Sequence, residues 1–220
     1  MHDSDVSSEE SQNELCIKID SLEQTPAGIV KITTPTGSIF LLREVYLEHS
    51  RLDDFYEGCI FQENDVEAID LLESTLCLVV ERAAMNYLNR SEHSRFLLEQ
   101  KLKNKKFGKI QIEKVLDYLE SENYLSDMRY AVSWLRNRRL SISEGRTKLL
   151  AGLVSRGVSK KIAQDALNEF FEEFPEEDLF EKALDKLQRN GCDDDKLYEK
   201  LIQKGFSPSL IRKKLQKGNL

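Results

Sequence analysis

The chain has 220 residues, 32 Lys and Arg against 39 Asp and Glu, a formal net charge of −7 and 40% hydrophobic residues. With 32% charged residues, four prolines and ten glycines it is neither collagen-like nor disulfide-framed, and it reads as a helix-rich protein. No apolar run approaches the roughly 18 residues needed to span a bilayer. Met1–Gln12 lacks the basic-then-apolar pattern of a secretory signal, so a cytoplasmic location is expected.

Residues 1–14 are rich in Ser, Asp and Glu, with almost nothing apolar, and read as a disordered acidic tail. Ile29-Val30-Lys31-Ile32-Thr33 and Ser38-Ile39-Phe40-Leu41-Leu42 flank Pro35-Thr36-Gly37, which is a hairpin pattern with Gly37 free to take a positive φ. Asn64 is placed to cap a short helix running through Leu72. Residues 15–75 are therefore expected to form a small β-hairpin-containing module with a short helix. The four cysteines, Cys16, Cys59, Cys77 and Cys192, form no CxxC pair and have no His at ligand spacing. That excludes a zinc site of the usual pattern and leaves reduced, mostly buried thiols.

From about Thr75 the sequence repeats. Taking Phe107, Val158 and Phe206 as anchors, a leucine stands nine residues before each (Leu98, Leu149, Leu197), five before (Leu102, Leu153, Leu201) and nine after (Leu116, Leu167, Leu215). Five after come Ile112, Ala163 and Ile211; two before is always basic, namely Lys105, Arg156 and Lys204. Upstream in each copy lies an i, i+3, i+4, i+7 set: Val80, Ala83, Ala84, Tyr87; Met128, Ala131, Val132, Leu135; Phe180, Ala183, Leu184, Leu187. Lys106, Gly157 and Gly205 end the second helices, and Ser159 and Ser207-Pro208 open the third ones. The fold expected is mainly α: three tandem three-helix repeats, at residues 76–124, 125–174 and 175–220, in an elongated curved array behind the strand-containing module. A bundle of that size has little core of its own, so its neighbours must stack in series. Such an array favours contact with something long over enzyme chemistry.

Charge is blocked along the chain. Net charge is −13 through Thr75, +9 over Leu76–Ile162, −9 over Ala163–Asp195 and +6 over Lys196–Leu220. The basic blocks can steer the protein toward phosphate or an acidic surface, though solvated helix faces give the same composition.

The repeats carry a family resemblance. Asn123-Tyr124-Leu125-Ser126-Asp127-Met128-Arg129-Tyr130-Ala131, then Trp134-Leu135-Arg136 and Leu153-Val154-Ser155-Arg156-Gly157-Val158, resemble the middle repeat of the RecX regulatory family. Ala84-Met85-Asn86-Tyr87-Leu88 with Arg90, Ser94-Arg95 and Leu102 resembles its first repeat, and Lys204-Gly205-Phe206-Ser207-Pro208 with Leu210-Ile211 and Leu215 its third. The resemblance covers about Leu76 to Lys217, and the front module is similar to the extension many members carry. It implies a protein that is not an enzyme; no cofactor is expected, and a monomer is expected. The implied partner is the bacterial recombinase RecA, bound along the groove of its filament on DNA, where it limits filament growth, ATP hydrolysis and strand exchange. DNA is implied as a weak additional partner. The chain departs from the family pattern at Lys106, where a glycine is usual. Gly108-Lys109 is read as lengthening the following turn, and Leu140-Ser141-Ile142-Ser143 stands where a glycine-bearing basic loop is more common. The stretch from Glu172 to Asp178 is unusually acidic.

Candidate contact residues are the basic ones. Arg136, Arg138 and Arg139 follow Trp134 at a helix end, where contact with phosphate or acidic side chains competes with the ordinary preference of ~0.3–1 kcal/mol for cations at helix C-termini. Lys105, Arg156 and Lys204 recur at one offset and face the same two readings. Lys160 and Lys161, and the cluster Arg212, Lys213 and Lys214, lie on third helices; three adjacent cations cannot all face a core. Trp134 reads as packing and not as a stacking platform, since no second aromatic has a matching spacing. There is no GxxxxGK[ST], HExxH or GxSxG pattern. The alternative reading is a helical-repeat protein that binds DNA without a recombinase partner.

Overall fold

In the computed structural model, residues 16–217 are described, and the acidic tail lies outside them. The chain divides into two compact units, Met1–Arg82 and Ala83–Leu220.

In the first unit, β1 (Cys16–Lys18) pairs antiparallel with β5 (Ile60–Gln62), while β2 (Ser21–Gln24), β3 (Val30–Thr33) and β4 (Ile39–Leu42) form an antiparallel sheet in that order. The hairpin β3–β4 is the one expected. Gly37 takes φ +83° at its turn, and the Ser38 N–H donates to Thr34 Oγ1 at 3.0 Å. Val30 and Ile32, on one face of β3, are buried with Ile19, Leu42, Phe55, Phe61, Ala68 and Leu71. The pairings of β1, β2 and β5 were not expected from the sequence: these strands have three or four residues and no clean alternation.

Helix α1 (Val66–Leu88) replaces the short helix expected to end at Leu72. Asp65, not Asn64, opens it: its carboxylate accepts the Gln62 N–H at 2.7 Å and its carbonyl accepts the Ile69 N–H. The helix continues because residues 66–88 contain neither Gly nor Pro. The two hydroxyls in mid-helix find partners: Ser74 donates to the Arg43 carbonyl at 3.1 Å, and Thr75 donates to the Leu71 carbonyl at 2.9 Å. Buried Asp70 fixes the loop after β4, accepting the N–H groups of His49 and Ser50 at 2.7 and 2.6 Å. Burial pushes its carboxyl up, but those N–H groups outweigh it and hold the group below its ordinary pKa.

In the second unit, α2 (Arg95–Asn104) and α3 (Lys109–Ser121) follow α1. Then come α4 (Asp127–Ser141), α5 (Arg146–Val154) and α6 (Lys160–Glu173), and finally α7 (Glu176–Arg189), α8 (Asp194–Gln203) and α9 (Pro208–Lys217), nine α-helices in all among the described residues. The leucines at matched offsets face inward: Leu98, Leu102, Leu116, Leu149, Leu153, Leu167, Leu197 and Leu201 are all buried. One continuous apolar cluster runs through α4–α9, from Tyr130 to Ile211, with Phe180 and Phe206 edge-on at 5.3 Å. Leu97 of α2 packs against the same cluster, so the helix triplets share core instead of closing separately.

Each third helix begins two residues after its anchor, at Lys109, Lys160 and Pro208. The turn after Phe107 is therefore not lengthened: Gly108 occupies the N-cap position of Ser159 and Ser207. Those serines accept the N–H groups of Ile162 and Leu210, whereas Gly108 has no side chain to do so. The residue before each anchor is left-handed in all three copies, with φ +67° at Lys106, +82° at Gly157 and +87° at Gly205. Lys106 alone carries a Cβ in that region. Lys106→Gly is expected to stabilise the protein by about 0.5–1 kcal/mol, the relieved strain exceeding the added chain entropy of glycine. A denaturant midpoint that stays put or falls would contradict this.

Candidate functional site

The joints between helix triplets set which side chains remain available. Arg95 and Arg146 each stand twelve residues before their anchor and open α2 and α5. The backbone N–H of Arg95 donates to Asp127 Oδ1, and that of Arg146 to Glu176 Oε1, both at 2.8 Å. Asp127 and Glu176 are the first residues of α4 and α7, so the next triplet supplies a carboxylate to a helix N-terminus of the one before. The two arginine side chains reach the third helix of their own triplet, Arg95 to Asp117 and Glu120, Arg146 to Asn168.

A second contact recurs one residue earlier. Ser94 Oγ donates to the Arg156 carbonyl at 2.6 Å, and the Gly145 N–H donates to the Lys204 carbonyl at 2.9 Å. The conserved offset of a basic residue two before the anchor thus coincides with a backbone carbonyl used in the joint. At the corresponding position in the last triplet stands Asp193, the N-cap of α8, whose carboxylate accepts from Lys196 at 2.8 Å.

The joints and the acidic helices engage many of the candidate cations. Arg138 forms a two-pronged pair with buried Glu144, at 2.8 and 3.1 Å, and Lys148 approaches the same carboxylate. Burial raises the Glu144 carboxyl, but the Arg138 bonds and charge, with Lys148, hold it below its ordinary value. Arg136 pairs with Glu173 at 2.8 Å. The guanidinium of Arg139 lies 3.8 Å over Phe174. Arg156 lies 4.8 Å over Trp134 and donates to the Gly152 carbonyl at 2.7 Å, and Arg138 covers the same half-buried indole. Lys204 is partly buried beside Lys148 and Lys186, and burial followed by those two charges lowers its pKa. Lys214 pairs with Glu181, which raises its pKa.

Lys160, Lys161, Arg212 and Lys213 are exposed and have no ion-pair partner among the described residues, and Lys105 is exposed with its ammonium 5.4 Å from the Tyr87 ring. The sequence reading favoured Arg136, Arg138 and Arg139 as contact residues over Lys105, Arg156 and Lys204, with the cations of the third helices between them. The fold instead leaves five of them, Lys105 at the C-cap of α2, Lys160 and Lys161 on α6, and Arg212 and Lys213 on α9, exposed and without an ion-pair partner among the described residues. The sequence reading gave no site role to the joint residues Ser94, Arg95, Asp127, Gly145, Arg146 and Glu176, although Ser94, Arg95 and Asp127 stand in the motifs that carry the resemblance. The signal for these was present in the arginine twelve residues before two of the three anchors. A groove of 550 Å³ between Glu92, Met128, Arg129, Arg136 and Glu169 has its cations already neutralised, Arg129 by Glu92 at 2.9 Å and Arg136 by Glu173. No cluster of three metal-ligating side chains occurs among the described residues, and no helix there is long and apolar enough to cross a membrane.

These features define a mainly α, repeat-built protein with a small strand-containing module at its front. Residues 82–119 match the family model described as RecX, first three-helix domain. The chain is 40% identical over 137 residues to the Regulatory protein RecX of Treponema pallidum (strain Nichols), covering 62% of this chain and 84% of that protein. It is 34% identical over 136 residues to the Regulatory protein RecX of Prosthecochloris aestuarii, covering 60% and 88%. The chain belongs to the RecX family of regulatory proteins. Its fold is that of a crystal structure of regulatory protein RecX, with a TM-score of 0.70 over 89% of this chain and 97% of that one at 22% identity. RecX from Lactobacillus salivarius superimposes with a TM-score of 0.57 over 64% and 96%, at 24% identity.

Proposed function

We propose that this chain is a negative modulator of the recombinase RecA that binds along the RecA–DNA filament and limits its growth, ATP hydrolysis and strand exchange. The observation that carries the reading is the recurring joint, in which a carboxylate opening one triplet caps a helix of the triplet before it, at 2.8 Å in both cases. A chain built by repeating one step offers equivalent surfaces at intervals, which suits a partner that is itself a repeating polymer. Family membership points to the same partner. On this reading the protein works in the cytoplasm without a cofactor or a catalytic role of its own. The residues that meet the filament are the solvent-presented cations Lys105, Lys160, Lys161, Arg212 and Lys213.

The test is RecA-driven ATP hydrolysis on single-stranded DNA with substoichiometric to equimolar protein. Hydrolysis is expected to slow. Lys160→Glu/Lys161→Glu and Arg212→Glu/Lys213→Glu are each expected to weaken the effect about tenfold at low salt, with the difference shrinking as salt screens the contact. Unchanged hydrolysis with no co-sedimentation on filaments at low salt would overturn the proposal. The same exposed cations favour the second reading, a helical-repeat protein that binds DNA alone. Retention on naked DNA across a salt series, equal with and without RecA, would establish that one instead.

A further inference from the structure

The joint between the second and third triplets gathers more positive charge than it neutralises. Lys148 of α5 reaches toward Glu144, its Nζ 3.5 Å from Oε1, but Arg138 already holds both oxygens of that carboxylate at 2.8 and 3.1 Å. Lys204, the C-cap of α8, enters the same joint: its carbonyl accepts the Gly145 N–H, and Gly205 beside it packs against Lys148. Lys186 of α7 is the third lysine. Burial first, and then the charges of Lys148 and Lys186, hold the Lys204 ammonium below its ordinary pKa, while Glu144 acts in the opposite sense. Arg138, Lys148, Lys186 and Lys204 thus share one buried carboxylate.

Pairing along the helices does not relieve this surplus. Three and four residues from Lys186 stand Lys182, Ala183, Arg189 and Asn190, and the residues that far before Lys204 are Leu201 and Lys200. Neither Lys186 nor Lys204 has an ion-pair partner among the described residues. The helix dipole accounts for Lys186 in the last turn of α7 and for Lys204 at the end of α8. It opposes Lys148, which stands in the first turn of α5. Cations gathered against both their mutual repulsion and a helix dipole mark a place that receives an anion. The guanidinium fork in the joint, Arg138, is committed to Glu144, and the three lysines are point charges on flexible stems. Such a set suits a phosphate group, with several oxygens and up to two charges, better than a carboxylate, which a free fork would clasp.

We infer that Lys148, Lys186 and Lys204 form a phosphate-binding site at the joint between the second and third triplets, taking the phosphate group of a free phosphoanion or of a nucleic-acid backbone. A phosphate held there bridges α5 to α7 and α8 and tightens one triplet against the next. The site is independent of the recombinase reading, whose contact residues lie elsewhere, and its test needs no recombinase.

The full chain is titrated with inorganic phosphate and with pyrophosphate, against chloride at matched ionic strength, while the backbone amide signals of Lys148, Lys204 and Gly205 are followed. Saturating shifts are expected at a Kd on the order of 1 mM for inorganic phosphate, and lower for pyrophosphate. The Lys204 pKa is expected to rise as the anion binds. Lys186→Gln, at an exposed position, is expected to weaken binding several-fold. In chloride it should also raise the denaturant midpoint, because it removes like-charge repulsion. Lys18→Gln, the same loss of charge on exposed β1, is expected to leave phosphate binding unchanged. An oligothymidylate separates the two sources. If it shifts the same three amides and pyrophosphate displaces it, the phosphate is that of a nucleic-acid backbone; if it leaves them unmoved, the ligand is a free phosphoanion. Shifts no larger in phosphate than in chloride, or equal weakening by Lys18→Gln and Lys186→Gln, would overturn the inference. So would a midpoint of Lys186→Gln in chloride that falls, because the lysines would then not be crowded.

Discussion

Gly205→Ala is expected to cost on the order of 3 kcal/mol, read as a fall in the denaturant midpoint of the fluorescence transition of Trp134. Two effects combine. At φ +87° an added Cβ brings the left-handed penalty of roughly 1–2 kcal/mol. The new atom would also stand 2.5 Å from both the Cβ and the backbone N of Lys148 in α5. Backbone cannot swing aside as a side-chain tip does, so the joint must open, at about 1–3 kcal/mol more. Opening it would stretch the bonds from Gly145 N–H to the Lys204 carbonyl, at 2.9 Å, and from Thr147 N–H to the Gly205 carbonyl, at 3.2 Å. Gly157→Ala is expected to behave alike, because its Cβ would lie 2.1 Å from the Cβ of Phe96 in α2. Gly191 is the control: its φ is +69°, yet nothing lies within 4 Å of its added Cβ, so alanine there should cost only the conformational part. If the three substitutions cost the same, close approach at the joints contributes nothing.

This pair of requirements explains where the repeat tolerates variation. Before Val158 and Phe206 the residue must be left-handed and must also admit a helix of the preceding triplet, and only glycine does both. Before Phe107 only the left-handed requirement holds, and Lys106 meets it at a modest cost in strain. From the sequence, Lys106 reads as a plain departure from a pattern. Its acceptability depends on which neighbour each copy meets, and that is a long-range property.

The helices of the second unit were legible because their burial is periodic, with leucines nine and five before each anchor and nine after, in every copy. Their joints were not, because a joint pairs residues far apart in sequence, Arg95 with Asp127 and Arg146 with Glu176, and the arginine twelve residues before two of the anchors marks only one side of the pair. The candidate cations suffered from the same limit. Arg138 looks like a surface residue until Glu144, six residues on, proves to be buried against it. In the first unit the hairpin around Gly37 was legible from local turn chemistry, whereas β1 and β5 meet across about forty residues of chain and are too short for periodicity to show. The end of α1 was misjudged for a related reason. Ser74 and Thr75 disfavour a helix in isolation, but the Arg43 backbone takes up the Ser74 hydroxyl.

Glu81→Leu is expected to be the most damaging single change in the first unit, at about 3–5 kcal/mol. The Glu81 carboxylate is buried and accepts three hydrogen bonds: Arg43 Nε at 3.0 Å, Arg43 Nη2 at 2.8 Å and the Tyr46 hydroxyl at 2.8 Å. Arg43 also donates to the Ala27 carbonyl at 2.7 Å, so one guanidinium ties the residue after β4 both to α1 and to the turn between β2 and β3. Burial first, and then the Glu81 hydrogen bond and charge, drive the Tyr46 phenol above its usual pKa, which favours the protonated form that donates to Glu81. Leucine at residue 81 would leave the guanidinium charge facing methyl groups in a site where the side chain of Arg43 is only 16% exposed. The loss should appear as faster amide exchange at Val30, Ile32 and Leu42. The double variant Arg43→Met/Glu81→Leu distinguishes the two possible sources of that loss. If the penalty comes from the stranded charge, the double variant is more stable than Glu81→Leu alone, because two apolar side chains of similar length can pack where the ion pair was. If it comes from lost packing of the α1 backbone against the sheet, the second substitution recovers nothing.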